Sequence, residues 1–292
     1  LESDGVMFDI VPGEKLSLKD LLHGAIVISG CDASNVAAES LEGSIETFMQ
    51  SLNLYIKKRG IVDTHLTNPH GLHMPEHVST AIDIAKMTKL AIKNPNFLKI
   101  FSCKFFIRPQ TNKQNKKEII TNNKLMKPGE YYYKNVIGSK TGYHAKAKYN
   151  LVSVAKKDNR TLIAVVLGCS TTDVRFEDTI KLFNLAFSEK KQTKVLIEKE
   201  KLFFSKINGA AKIVKASLKY DLDIDYYLSE EMDLKAIVVY DDLKAPIKMG
   251  QKVATIEIKN KDNEIIQKAN LYAKQSVRRV FFRFLKELFV KS

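Results

Sequence analysis

The stretch VIGSKTGYHAKAKYNLVSVAKKDNRTLIAVVLG, residues 136–168, decides the architecture. Residues 136–141, 149–156 and 161–168 within it are runs rich in β-branched side chains, joined by Gly, Asn and Asp-Asn turn signals. Short connections leave no room for a crossover helix, so the runs are expected to be adjacent strands of one antiparallel sheet.

Upstream, to about residue 100, the apolar spacing is helical. In residues 44–59, Ile45, Phe48, Met49, Leu52, Tyr55 and Ile56 form one stripe, with Ser44 as cap and Gly60 as stop. Ser17-Leu18-Lys19-Asp20 opens a second helix running to about residue 29, and Thr80-Ala81-Ile82-Asp83 opens a third that ends before Pro95. Downstream, residues 173–188 return to helical spacing through Val174, Ile180, Phe183, Leu185, Ala186 and Phe187. The Lys-rich stretch 190–194 then marks a boundary. Beyond it, strand-like runs at 195–197, 236–240 and 253–258 alternate with turn signals at Asn208-Gly209, Asp241-Asp242 and 261–263. The expected organisation is α+β: a first domain over 1–190, a small all-β, sandwich-like domain over 191–276, and a terminal helix over 277–292.

The 292 residues are 45% hydrophobic, which excludes disorder as the main state. With 47 Lys+Arg against 33 Asp+Glu, the net charge of +14 favours an anionic partner. The charge is scattered, and no nucleic-acid-binding motif accompanies it, so nucleic acid is not expected. The longest apolar run, 162–169, falls far short of the roughly 18 residues of a membrane span. Cys31, Cys103 and Cys169 have no C-x-x-C spacing. The chain opens on Leu1 with no basic-then-apolar leader, and is expected to begin inside a longer protein.

Lys140-Thr141-Gly142 ends the first strand-like run, and about 110 residues earlier stands Ser29-Gly30-Cys31-Asp32-Ala33. K-T-G is one of three elements of the serine acyl-transferases. The second, S-x-N followed by D-A, is matched with Cys31 in place of Asn. Further segments fit in order and spacing: Leu21-Leu22-His23-Gly24, Asp63-Thr64-His65, His70-Gly71-Leu72, Ser79-Thr80-Ala81 and Tyr149-Asn150-Leu151. On these residues the chain resembles the D-alanyl-D-alanine carboxypeptidases of the low-molecular-mass penicillin-binding proteins, from about residue 6 to its C-terminus.

The resemblance implies a β-lactamase/transpeptidase-like domain, an antiparallel sheet with a helical subdomain, followed by the small all-β domain and a C-terminal amphipathic helix. It implies a serine-type two-step acyl transfer on the D-Ala-D-Ala end of a peptidoglycan stem peptide, without cofactor or metal. Ser29 and Lys140 carry the catalytic roles, Ser29 in proton transfer and Lys140 as a cation beside the reacting groups. Thr141, Gly142, Tyr143, Arg175 and Cys31 bind substrate. Tyr143 offers a backbone N–H to the oxyanion, and Arg175 a planar fork to the terminal carboxylate. A Cys31 thiol hydrogen-bonds more weakly than an amide, so substrate positioning is where the departure acts.

The first element, S-x-x-K, has two matches, Ser153 with Lys156 and Ser188 with Lys191. Neither serves: Ser153 lies in a strand, where i and i+3 face opposite ways, and Ser188 closes a helix. The nucleophile is therefore expected upstream, and the chain alone is expected to be inactive and unlabelled by β-lactam antibiotics, which the parent would bind. The alternative is a catalytically inactive peptidoglycan-binding remnant. His65, His70, His73 and His77 crowd one loop, but without the H-E-x-x-H spacing of a zinc site. In residues 277–292, Val277, Val280, Phe281, Phe284, Leu285, Leu288 and Phe289 form a stripe bordered by Arg278, Arg279, Arg283, Lys286 and Lys291. This pattern predicts a helix on an anionic membrane surface, and with the resemblance an extracytoplasmic, periplasmic protein, peripheral on the outer face of the cytoplasmic membrane.

Overall fold

The structure, a computed structural model, describes residues 5–230 and 232–280. The chain divides into two compact units, Leu1–Ser188 and Glu189–Ser292.

In the first unit, helices α1 (Leu18–His23), α2 (Cys31–Glu42), α3 (Ile45–Lys57), α4 (Ala81–Ala91) and α5 (Pro95–Phe101) precede a hairpin of β1 (Phe105–Arg108) and β2 (Lys117–Ile120). The sheet follows: β3 (Val136–His144), β4 (Lys148–Lys157) and β5 (Arg160–Cys169), then α6 (Thr172–Ser188). The order is β3-β4-β5, antiparallel throughout, as the patterning of 136–168 requires.

The cap chemistry read from the sequence operates. Ser17 and Asp20 make a reciprocal capping box on α1. Ser44 accepts from the Thr47 N–H and Thr80 from the Asp83 N–H. Asn94, given no such role in the sequence reading, caps α5 ahead of Pro95. The helix opened by Ser17 does not stay regular to residue 29: after His23 it widens into a π-helical turn over Gly24–Ile28. On α6 the buried face is Phe176, Thr179 and Phe183, and Leu185, placed on the expected stripe, is 72% exposed. Phe176 packs with Leu125 and Leu151, and Phe183 with Ala155 and Ala164, so α6 covers one face of the sheet.

In the second unit, β7 (Phe203–Ser205), β8 (Val214–Ser217), β10 (Lys235–Tyr240), β11 (Lys252–Lys259) and β12 (Ile265–Ala273) form a sheet ordered β10-β11-β12-β8-β7. The pair β6 (Gln192–Ile197) and β9 (Leu222–Tyr226) lies beside one core with it, where Ile197 and Leu222 join Val214, Ile256 and Leu271. The terminal stripe is corrected at its start: residues 277–280 are extended, not helical. Val277 is buried in that core and pairs with Ile247, Arg279 pairs with Ala210, and the Val280 N–H donates to Gly209. A side chain that fills a β core cannot also lie on a membrane. Residues 281–292, the rest of the stripe, lie outside the described residues.

Candidate active site

Ser29 is the residue on which the π-helical turn ends, in the left-handed conformation at φ 68°. A non-glycine residue is held there only when its surroundings over-determine it. Here Phe8, fully buried, lies against the turn so closely that a Cβ on Gly24 would stand 2.7 Å from its ring and one on Gly30 3.0 Å from its Cβ. Phe8 is fixed in turn. Its N–H donates to Asp32 Oδ1 at 2.7 Å, Ile10 N–H donates to Asp32 Oδ2 at 2.9 Å, and the buried Arg108 donates to the Phe8 carbonyl at 3.3 Å. Asp32 therefore ties residues 8–10 to the N-terminus of α2, directly after Ser29 and Cys31.

The opposite wall is β3. Lys140 Nζ meets Ser29 Oγ, 111 positions away in sequence, and donates to the Thr141 carbonyl at 2.7 Å. Burial pushes the Lys140 ammonium down to about 8, and the Arg175 cation adds to the effect. The Cys31 thiol, buried, has Sγ 3.9 Å from the Ser29 carbonyl. Burial and then Asp32 raise its pKa, so it stands as a thiol rather than a thiolate.

Arg175, in the first turn of α6, donates to the Gly142 carbonyl at 3.3 Å and lies over the rings of Phe176 and Tyr149, at 4.9 and 5.5 Å. Its Nε is buried without a hydrogen-bond partner, and burial lowers its pKa. A partly dehydrated guanidinium with an unused donor is suited to an anion. Lys140-Thr141-Gly142 does not end its strand: β3 runs on to His144, and its far side pairs with no strand among the described residues. The N-terminal half of that edge is closed, because Gly138 and Ser139 are buried and Phe101 lies over Gly138. Gly142 and Tyr143 are exposed, the Tyr143 ring resting 4.5 Å from that of Tyr149.

The structure thus brings Ser29, Cys31, Lys140 and Arg175 together, with Thr141, Gly142 and Tyr143 on the open edge beside them. The rejected S-x-x-K matches do not contribute. Ser153 is fully buried in β4 while Lys156 is exposed, and Ser188 bonds back to the Leu185 carbonyl. The loop histidines have structural partners: His65 pairs with Val78, His70 Nδ1 faces the Leu72 N–H, and His77 Nδ1 the Thr67 N–H. Among the described residues, no group of three or more His, Cys, Asp or Glu side chains is placed to hold a metal ion. Phe8 and Arg108 went unread in the sequence. Nothing in an isolated Phe or Arg signals a clamp that closes across 100 positions.

A family model described as D-alanyl-D-alanine carboxypeptidase matches residues 3–171. The chain belongs to the D-alanyl-D-alanine carboxypeptidase family. A second model, penicillin-binding protein 5, C-terminal domain, matches residues 191–279, the β unit. The carboxypeptidase DacF of Bacillus subtilis (strain 168) is 33% identical over 97% of this chain and 72% of its own length. Among solved structures, penicillin-binding protein 5 of Haemophilus influenzae is 30% identical, with a TM-score of 0.62 over 95% of this chain and 79% of its own. A cysteine-to-alanine variant of the Streptomyces K15 DD-transpeptidase is 25% identical, with a TM-score of 0.58 over 62% of this chain and 72% of its own. A serine-to-alanine variant of the same protein replaces the residue two positions earlier, the separation of Ser29 and Cys31. The chain spans 66 to 72% of the length of the first curated relatives it matches.

Proposed function

We propose that this chain is the part of a serine-type D-Ala-D-Ala carboxypeptidase that carries its second and third motifs, with the S-x-x-K serine and lysine supplied by sequence upstream of these residues. The observation that carries the reading is the meeting of Lys140 Nζ with Ser29 Oγ, which joins two motifs from opposite ends of the first unit. With an ammonium beside it that burial makes readier to release its proton, Ser29 has a partner for passing a proton to the leaving D-Ala amine. Arg175 and Thr141 receive the substrate's terminal carboxylate, and the stem peptide lies as an added strand along Gly142 and Tyr143. The Tyr143 N–H serves the oxyanion. A Cβ on Gly142 would make only an ordinary contact, 3.8 Å from Asn150, so this chain's own packing does not demand glycine there and leaves the edge open to a ligand. The substrate places the protein outside the cytoplasm, and residues 281–292 attach it to an anionic membrane surface.

Labelling with a fluorescent penicillin tests the proposal. The 292-residue chain forms no adduct stable to denaturing electrophoresis, whereas the protein extended through its upstream coding sequence does, on a serine of an S-x-x-K motif. An adduct on the chain itself would overturn the placement of the nucleophile. An extended protein that lacks the motif and stays unlabelled would identify an inactive relative.

A further inference from the structure

One contact on the open edge of β3 is not used by that reaction. Side chains on a strand alternate, so Lys140, Gly142 and His144 share a face, and four residues put His144 about 13 Å beyond Lys140. Over His144 lies His73, from the 70–78 loop: the rings stack with centroids 5.3 Å apart and planes inclined by 24°. Both are half-buried. His144 Nδ1 faces the Lys146 N–H at 3.3 Å, so it accepts, and the ring's other nitrogen is left as donor. The imidazole pair therefore bridges loop and strand beside the accessible stretch of edge, with the Ser29–Lys140 contact at the other end.

We infer that the His73–His144 pair is a specificity subsite for the residue preceding the penultimate D-Ala, and that it selects a side chain ending in a carboxylate over one ending in an ammonium. The inference rests on the proposed binding mode. With the terminal carboxylate at Thr141 and Arg175, the remainder of the peptide has one open direction, since Gly138 and Ser139 are closed. It runs toward Tyr143 and His144, and a residue one or two places before the scissile bond comes within side-chain reach of the imidazoles, about 3.3 Å being covered per residue. The surroundings favour an anion. Imidazole N–H groups donate, the turn after β3 carries Lys146, β4 opens on Lys148 directly across from His144, and Arg175 lies over Tyr149. The facing loop supplies His70, His77 and, as its one carboxylate, Glu76. An ammonium there meets donors and cations, whereas a carboxylate meets partners.

The test is a pair of NMR titrations of the full chain with N-acetyl-L-2-aminoadipoyl-D-Ala-D-Ala and N-acetyl-L-lysyl-D-Ala-D-Ala, which differ only in the group ending the first side chain. The acidic peptide is expected to bind at least about fivefold tighter. His73→Leu and His144→Ala, which remove the donors, should remove that ratio while leaving the lysyl peptide's Kd within about twofold. The lysyl peptide doubles as a fold control, because a damaged variant weakens both. Equal binding of the two peptides to the wild type would overturn the subsite and leave the binding mode standing. So would a preference that survives both substitutions, which would trace to the net charge of +14. If neither peptide perturbs the Lys140–Tyr143 resonances, the binding mode itself falls, and the subsite with it.

Discussion

At the scale of single residues the site depends on one buried amine. Lys140 is pushed down to about 8 from an ordinary 10.5, mainly by burial. The sign follows from proton counting. Between about pH 8 and 10.5 the unfolded chain holds a proton on Lys140 that the folded chain has released, so this group makes stability rise with pH across that window. Below it, the cost of the buried cation is fully present. Lys140→Met removes the cost, so its stability relative to wild type should be greatest near neutral pH. That advantage should shrink by about 3 kcal/mol by pH 10.5, as a fall from 10.5 to about 8 implies at about 1.4 kcal/mol per pH unit. Urea unfolding of both proteins at a series of pH values measures the difference directly. A difference that stays flat from pH 8 to 10.5 would show that Lys140 is not held dry. The same burial sets against Ser29 Oγ an ammonium that gives up its proton more readily than an exposed lysine does.

At the scale of elements, β3 is shaped by what lies on each half of its edge. Gly138 touches Phe101 so closely that a Cβ would stand 2.2 Å from the ring, which lets α5 seal the first half and confines ligand access to the second. Gly138→Ala should therefore cost about 1–3 kcal/mol, the range for overpacking, and Gly138→Ala with Phe101→Leu should recover most of it. Thermal unfolding of the single and double variants decides; additive losses would mean that the two residues do not press on each other. The contact also shows what was legible in the sequence. The three strands and most helix starts were, because periodicity and caps are local signals. Helix α2 was not, since Ala33, Ala37 and Ala38 give a weak apolar stripe. The β1–β2 hairpin was hidden by the long polar loop between its short strands. The site residues were legible only as motif matches, and their convergence was not. Ser29 meets Lys140 through a π-helical turn and a Phe8–Asp32 clamp that no local pattern encodes.

For the whole molecule, the net charge of +14 and the sequence of residues 281–292 bear on where the protein resides. The stripe expected over 277–292 loses its first members to the β unit: Val277 is in the core, and the Arg278 carbonyl and Val280 N–H are bonded to Ala211 and Gly209. A chain cut at Ser276 would thus lose a core residue along with the proposed anchor, and its failure to bind membrane would prove nothing. A chain ending at Val280 keeps those contacts and removes only residues 281–292. In these, Phe281, Phe284, Leu285, Leu288 and Phe289 keep the i, i+3, i+4, i+7, i+8 spacing, with Arg283, Lys286 and Lys291 against Glu287. Apolar insertion and cation attraction, at about 1 kcal/mol per cation near an anionic surface, act together. The full chain should pellet with vesicles of anionic lipid, while the chain ending at Val280 stays in the supernatant. Raising the salt should weaken the full chain's binding without abolishing it, since screening removes the charge contribution and leaves the apolar one. Equal sedimentation of the two chains would assign the attraction to charge spread over the described units and remove the terminal segment as an anchor.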